Sequence, residues 1–261
     1  MIVATQIRKI GFFPFVEDYR LPVEALRRKI DDYGPSKVSD ALIVLPEAFN
    51  LENDYWTGEP CSPDEAILGK LQGVCRDYNM SFVAGAILKT SGSPTPPYSS
   101  AYRVDSTGFQ ELCRKRCGDG RHGSPRDGYA PHYTCCQEDE DCDGHNGKYY
   151  RNVSLTALIC RDAVASHDGN SERRERLRKK MAGGVVPQIV CIPSHMKYDH
   201  PDGIASEWPS SYVVLANSFH GGPLSFVAKV DKGNPGSAAV RILETVAFEQ
   251  NRNIVRVVNI E

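Results

Sequence analysis

Three positions along the chain set a reactive side chain where an apolar run stops. "LIVLPEAF" carries Glu47 directly after Pro46, "FQELCRKRC" carries Lys115, and "LTALICRDA" carries Cys160 between Ile159 and Arg161. A structural cysteine normally sits inside an apolar run, whereas Cys160 stands at a charged edge. A carboxylate, an amine and a thiol are the parts of a nucleophilic site. A thiol of ordinary pKa, about 8.5, is only a few per cent ionised at neutral pH, so a base beside it matters. Each residue also has a plain reading: Glu47 as a helix-start anion, Lys115 as a surface cation, Cys160 as a small core residue. Their shared placement at the ends of apolar runs favours chemistry.

Elements able to position such ends are legible in the periodicity. Strand-like runs fall at Ile2–Ile7, Ala41–Leu45, Phe82–Leu88, Ala101–Val104, Val153–Ile159, Ile189–Ile192, Tyr212–Ala216, Leu224–Val230, Ala238–Leu243 and Ile254–Ile260. "SPDEAILGKLQGVCRDYN" predicts a helix over 62–79, with Ser62 as N-cap, Pro63 at the first helical position, and Ile67, Leu68, Leu71, Val74, Cys75 and Tyr78 as one apolar stripe. A second helix is predicted from Pro22 to Tyr33, with Val23, Leu26 and Ile30 inward. "YRV", the turn "DSTG" and "FQELCRK" predict a hairpin that leads to Lys115. Strand and helix alternate early and strands crowd the C-terminal part, which predicts an α/β fold. In open sheets of that class, ligands gather outside the carboxyl ends of strands.

Composition narrows the function classes. Lys plus Arg number 31 against 33 Asp plus Glu, so charge gives no reason to expect nucleic acid or a membrane surface as partner. No apolar run approaches the length of a membrane span, and the start lacks the basic and apolar segments of a signal peptide. Nine cysteines, an odd number in a chain too large to need disulfide staples, predict reduced thiols and a cytoplasmic protein. No linker or repeat divides residues 1–261, which predicts a single domain. Within it, about 116–150 stands apart as an irregular insertion rich in Cys, His, Asp and Gly. Its "GDGRHG" satisfies G-x-G-x-x-G but follows a hairpin and opens no helix, so the dinucleotide reading fails on context. Cys117, His122, His132, Cys135, Cys136, Cys142 and His145, with Cys113 just before them, suggest a zinc-stabilised loop as an alternative. None forms a C-x2-C pair followed by a second pair at familiar spacing, so no metal is assigned.

Taken in order, "LIVLPEAF", "SSAYRVDSTGFQELCRKRC", "ALICRDA", "IVCIPSHM" and "VVLANSFHGGPLSFV" resemble the motifs of the nitrilase superfamily, the carbon–nitrogen hydrolases with a Glu–Lys–Cys triad. The resemblance implies an α-β-β-α sandwich and a cysteine-dependent hydrolase of non-peptide C–N bonds, of amidase or N-carbamoyl amidohydrolase type. It implies Cys160 as nucleophile, Glu47 as general base and acid, and Lys115 as oxyanion stabiliser, with no metal or organic cofactor. Many relatives carry a second acid between the lysine and the cysteine. Glu138 is the first choice for it here, ahead of Glu140 and Asp127. Arg161 is expected at the oxyanion site through its N–H or at a substrate carboxylate through its side chain, and Ser194, His195 and Trp208 are expected at the pocket. The expected partner is a small amide or nitrile, and the segment after Cys160, "RDAVASHDGNSERRERLRKKM", is the expected contact of a homodimer or higher homo-oligomer. True nitrilase activity, or a silent binding protein on the same fold, are the alternatives.

Overall fold

The structure is a computed structural model that describes residues 7–14, 22–47, 49–50, 66–88, 98–115, 148–150, 153–163, 186–194, 201–218, 225–246 and 255–260. Two six-stranded sheets make up its centre. The first contains β1 (Lys9–Phe12), β2 (Ala41–Leu45), β3 (Ser81–Leu88), β4 (Tyr98–Asp105), β5 (Gly108–Arg114) and the late strand β12 (Arg256–Asn259). Its order is β12-β1-β2-β3-β4-β5. The second contains β6 (Lys148–Tyr150), β7 (Val153–Ala157), β8 (Ile189–Ser194), β9 (Tyr212–Asn217), β10 (Ser225–Val230) and β11 (Val240–Val246), in the order β11-β10-β9-β8-β7-β6. In each sheet a parallel core, β1-β2-β3 or β7-β8-β9, carries antiparallel strands outside it.

The sheets pack face to face, β1, β2 and β3 against β8, β9 and β10, and β5 against β7. Alternation along β2 shows how one strand serves two cores. Leu42 and Val44 enter the core between the sheets, whereas Ala41, Ile43 and Leu45 enter the core under the helices. A parallel strand covered on both faces reads as an unbroken apolar run, as "ALIVL" does.

Helices α1 (Pro22–Tyr33) and α3 (Ala66–Tyr78) cover the outer face of the first sheet, with the short α2 (Pro35–Val38) between them. Val23, Leu26 and Ile30 of α1 meet Leu68, Leu71, Val74 and Cys75 of α3, so both predicted stripes face inward. Gly34, at φ 107°, ends α1 and donates its N–H to the Ile30 carbonyl at 2.9 Å. Residues 62–65, the predicted start of α3, lie outside the described residues. A further short helix, α4 (Pro201–Ala205), lies after β8.

Two sequence expectations need correction. The first strand is Lys9–Phe12, and Ile7 lies ahead of it, while residues 2–6 of the run expected at Ile2–Ile7 lie outside the described residues. Gly11 sits in the middle of β1, where a glycine weakens a strand signal. It is needed because a Cβ there would run into the Arg256 carbonyl of β12. Lys148–Tyr150, taken as the end of the insertion, pairs antiparallel with β7 as an edge strand. The rest of the insertion, 116–147, lies outside the described residues, and so does most of the segment expected at a subunit contact. No helix among the described residues is long and apolar enough to cross a membrane.

Candidate active site

Glu47 follows β2, where Pro46 interrupts the strand and turns the chain. Phe49 then donates its N–H to the Gly85 carbonyl of β3 at 3.2 Å, which ties this turn to the neighbouring strand. Gly85 also lets the two sheets approach. A Cβ on it would stand 2.7 Å from Glu47 Cα, 2.7 Å from Pro193 Cβ of β8 and 2.8 Å from the Pro46 carbonyl oxygen. Any larger residue would force apart the strand ends that carry Glu47 and Ser194.

Lys115 reaches the same place because of an irregularity in β5. Tyr102 pairs with Glu111 and Ala101 with Cys113, so Leu112 is an extra residue at a bulge. Glu111 lies on the outer side, where Ser100 donates to it at 2.7 Å, whereas Leu112 and Cys113 both belong to the core between the sheets. Without the extra residue, strict alternation would leave Cys113 and Lys115 on the outer face with Glu111. With it, Cys113 donates its thiol to the Ala157 carbonyl of β7 at 3.3 Å, a direct link between the sheets. Lys115 then donates its backbone N–H to the Ser99 carbonyl at 2.8 Å, and its Nζ donates to Glu47 Oε1 at 2.9 Å.

This ion pair is almost fully dry, with the two side chains 1% and 0% exposed. Ser99 Oγ donates to the same Glu47 oxygen at 2.9 Å. Oε1 therefore accepts two hydrogen bonds, while Oε2 is buried with no partner among the described residues. Ser99 and Gly85 are residues that reasoning from sequence missed. Ser99 shares a face with Ala101, and that inward alternation was the only signal available.

Cys160 leaves the end of β7. In the β7–β8 register Ala157 faces Cys191, and Leu158 continues the ladder by donating its N–H to the Cys191 carbonyl at 2.9 Å. β7 and β8 run parallel, so Cys160 leaves the sheet at the same end as Pro193 and Ser194. Cys160 is buried and opens a 3-10 turn, Cys160–Ala163, at φ 48°. Among the described non-glycine residues at positive φ, Asp40 and Asn79 are of types that tolerate this region, whereas a cysteine there costs about 1–2 kcal/mol. Such strain is held in place by the surrounding structure and is common where a side chain must be aimed.

The other described cysteines are Cys75, Cys113 and Cys191, all buried and none in a disulfide. Burial pushes the Cys191 thiol far up, which keeps it protonated and inert. Ser194 is buried at the end of β8, and its Oγ has no partner among the described residues. Trp208 is buried as well, with its Nε1 likewise unpartnered among them. The backbone of Arg161 belongs to the 3-10 turn. Glu138, Glu140, Asp127 and His195 lie outside the described residues, as do Cys117, His122, His132, Cys135, Cys136, Cys142 and His145 of the zinc alternative. Among the described residues no group of His, Cys, Asp and Glu could hold a metal ion.

No protein-family model and no curated protein sequence matches the chain. Solved structures do. An amidase from Nesterenkonia sp. aligns over 100% of this chain and 92% of its own, at 16% identity and a TM-score of 0.59. A carbon-nitrogen hydrolase from Helicobacter pylori aligns over 97% and 89%, at 14% identity and 0.60. Nit3 of Saccharomyces cerevisiae, a member of branch 10 of the nitrilase superfamily, aligns over 94% and 92%, at 15% identity and 0.58. The chain shares its fold with these structures.

Proposed function

We propose that this nitrilase-fold chain is a cysteine-dependent hydrolase of non-peptide C–N bonds, with Glu47, Lys115 and Cys160 as its catalytic residues. The observation that carries the reading is the dry Glu47–Lys115 pair with one carboxylate oxygen left without a donor among the described residues. A buried pair kept for structure alone is expected to satisfy its remaining lone pairs, because an orphaned buried acceptor costs free energy. An acceptor held ready at strand ends, on the side from which Cys160 emerges, suits proton transfer.

In the proposed reaction Cys160 Sγ attacks the carbonyl carbon of an amide. Glu47 takes the thiol proton and delivers it to the departing nitrogen, which leaves as the amine or ammonia. Lys115, with the N–H of Arg161, stabilises the oxyanion of the tetrahedral intermediate. Water, deprotonated by Glu47, then attacks the thioester; the acid is released and the proton returns to Sγ. Ser194 faces the substrate, and no metal is needed for any step. The chain works as a single domain in the cytoplasm, on a small amide, and associates with copies of itself. The amidase and carbon-nitrogen hydrolase neighbours favour amide over nitrile chemistry.

The test joins limited iodoacetamide labelling, mapped by peptide mass, to a panel of small amides, carbamoyl amines and nitriles. Preferential modification at Cys160, together with hydrolysis lost in Cys160→Ala and kept in Cys191→Ala, is the expected result. Equal turnover by wild type and Cys160→Ala would end the proposal.

A further inference from the structure

We infer that Ser99 is a positioning residue that divides the Glu47 carboxylate into an anchored oxygen and a proton-carrying one. The inference rests on the reading of Glu47 as the base of Cys160. Ser99 holds two parts of the site through one residue. Its hydroxyl donates to Glu47 Oε1 at 2.9 Å, and its carbonyl accepts the Lys115 N–H at 2.8 Å. It lies fully buried on the inward face of β4, on the edge-side hairpin whose bulge turns Lys115 inward.

With the Lys115 ammonium on the same atom, Oε1 carries two charge-assisted hydrogen bonds. Those bonds hold negative charge on Oε1 and fix the carboxylate plane, so the proton goes to Oε2. In the first step the Cys160 S–H bond breaks and an O–H bond forms at Oε2. When the C–N bond breaks, that proton passes from Oε2 to the leaving nitrogen and the carboxylate is restored. Ser99 touches neither substrate nor sulfur in this scheme, and its effect is exerted through Glu47 alone.

A serine buried for packing and a serine acting through Glu47 differ in a measurable way. The quantity is the rate of Cys160 carbamidomethylation by iodoacetamide, followed by peptide mapping in wild type, Ser99→Ala, Glu47→Gln and Ser99→Ala/Glu47→Gln. Deleting a hydrogen bond to a charged group is worth roughly a tenfold to hundredfold change. Ser99→Ala is expected to slow alkylation by that factor and to lower kcat with KM unchanged. Adding Ser99→Ala to Glu47→Gln is expected to slow it no further, since residues that act as a unit are not additive. Ser100→Ala, next in the strand but bonded to Glu111 on the other face, is expected to match wild type. Ser99→Gly deletes the same hydroxyl and serves if the alanine variant does not fold. Wild-type alkylation in Ser99→Ala, or its full loss repeated on top of Glu47→Gln, would overturn the inference while leaving Glu47 as base. Wild-type alkylation in Glu47→Gln would instead remove the base itself.

Discussion

Gly85→Ala tests whether the approach of the two sheets sets the site. The new Cβ would lie 2.7 Å from Glu47 Cα and Pro193 Cβ and 2.8 Å from the Pro46 carbonyl oxygen. Ordinary carbon contacts begin near 3.4 Å, so each neighbour must yield by roughly 0.6–0.7 Å. Two of the three atoms are backbone and the third belongs to a proline ring, so no side-chain rotation relieves the clash. Overpacking of this kind costs about 1–3 kcal/mol. For a chain of this size that lowers Tm by roughly 2–10 °C. The displacement falls on the turn that carries the proposed base, and a misplacement of about 1 Å can cost on the order of a hundredfold in rate. We therefore expect kcat on a small amide to fall about tenfold to a hundredfold in a protein that still folds. Circular dichroism melting and amide turnover on one preparation measure both quantities. A Tm within about 1 °C of wild type together with turnover within about twofold would refute the reasoning.

Lys115→Met leaves Glu47 buried without its cation and is expected to cost about 3–5 kcal/mol in urea unfolding as well as activity. Lys115→Met/Glu47→Gln should recover much of that stability and none of the activity. Ser194→Ala removes a buried hydroxyl that has no partner among the described residues. Stability is expected to hold or rise by up to about 1 kcal/mol, while KM rises about tenfold; an unchanged KM would take Ser194 out of the site. Burial raises the Cys191 thiol pKa in the folded protein, so above the ordinary thiol value the unfolded chain holds fewer protons than the folded one. Stability then falls as pH rises, by up to about 1.4 kcal/mol per pH unit. Urea unfolding between about pH 9 and about pH 10 should show that slope in wild type and a shallower one in Cys191→Ala; identical slopes would rule the thiol out as the cause.

What was legible in the sequence was local. "ALIVL" states a strand, the apolar spacing from Pro22 to Tyr33 states α1, and "DSTG" marks the hairpin turn. Glu47, Lys115 and Cys160 could be singled out because each ends an apolar run. The features that bring Glu47 and Lys115 together were not legible, since they depend on residues far apart in the chain. Gly11 reads as a defect in a strand until β12 packs against it, and Gly85 reads likewise until Pro193 does. The bulge at Leu112 leaves no mark in "GFQELCR", yet it decides which face Lys115 occupies. Ser99 and Ser100 are identical letters, and only their opposite faces separate a bond to Glu47 from a bond to Glu111.

The division of the proposed machinery between the two sheets has a consequence for unfolding. The acid, its cation and Ser99 belong to the first sheet, whereas the thiol emerges from the second. Neither sheet contains a working set by itself. A compact state that kept both hydrogen-bonded ladders but loosened the core between them would retain its far-ultraviolet signal and lose its turnover. Enzyme activity would thus report on side-chain interlock between the sheets, and during gradual denaturation it should disappear ahead of the backbone signal.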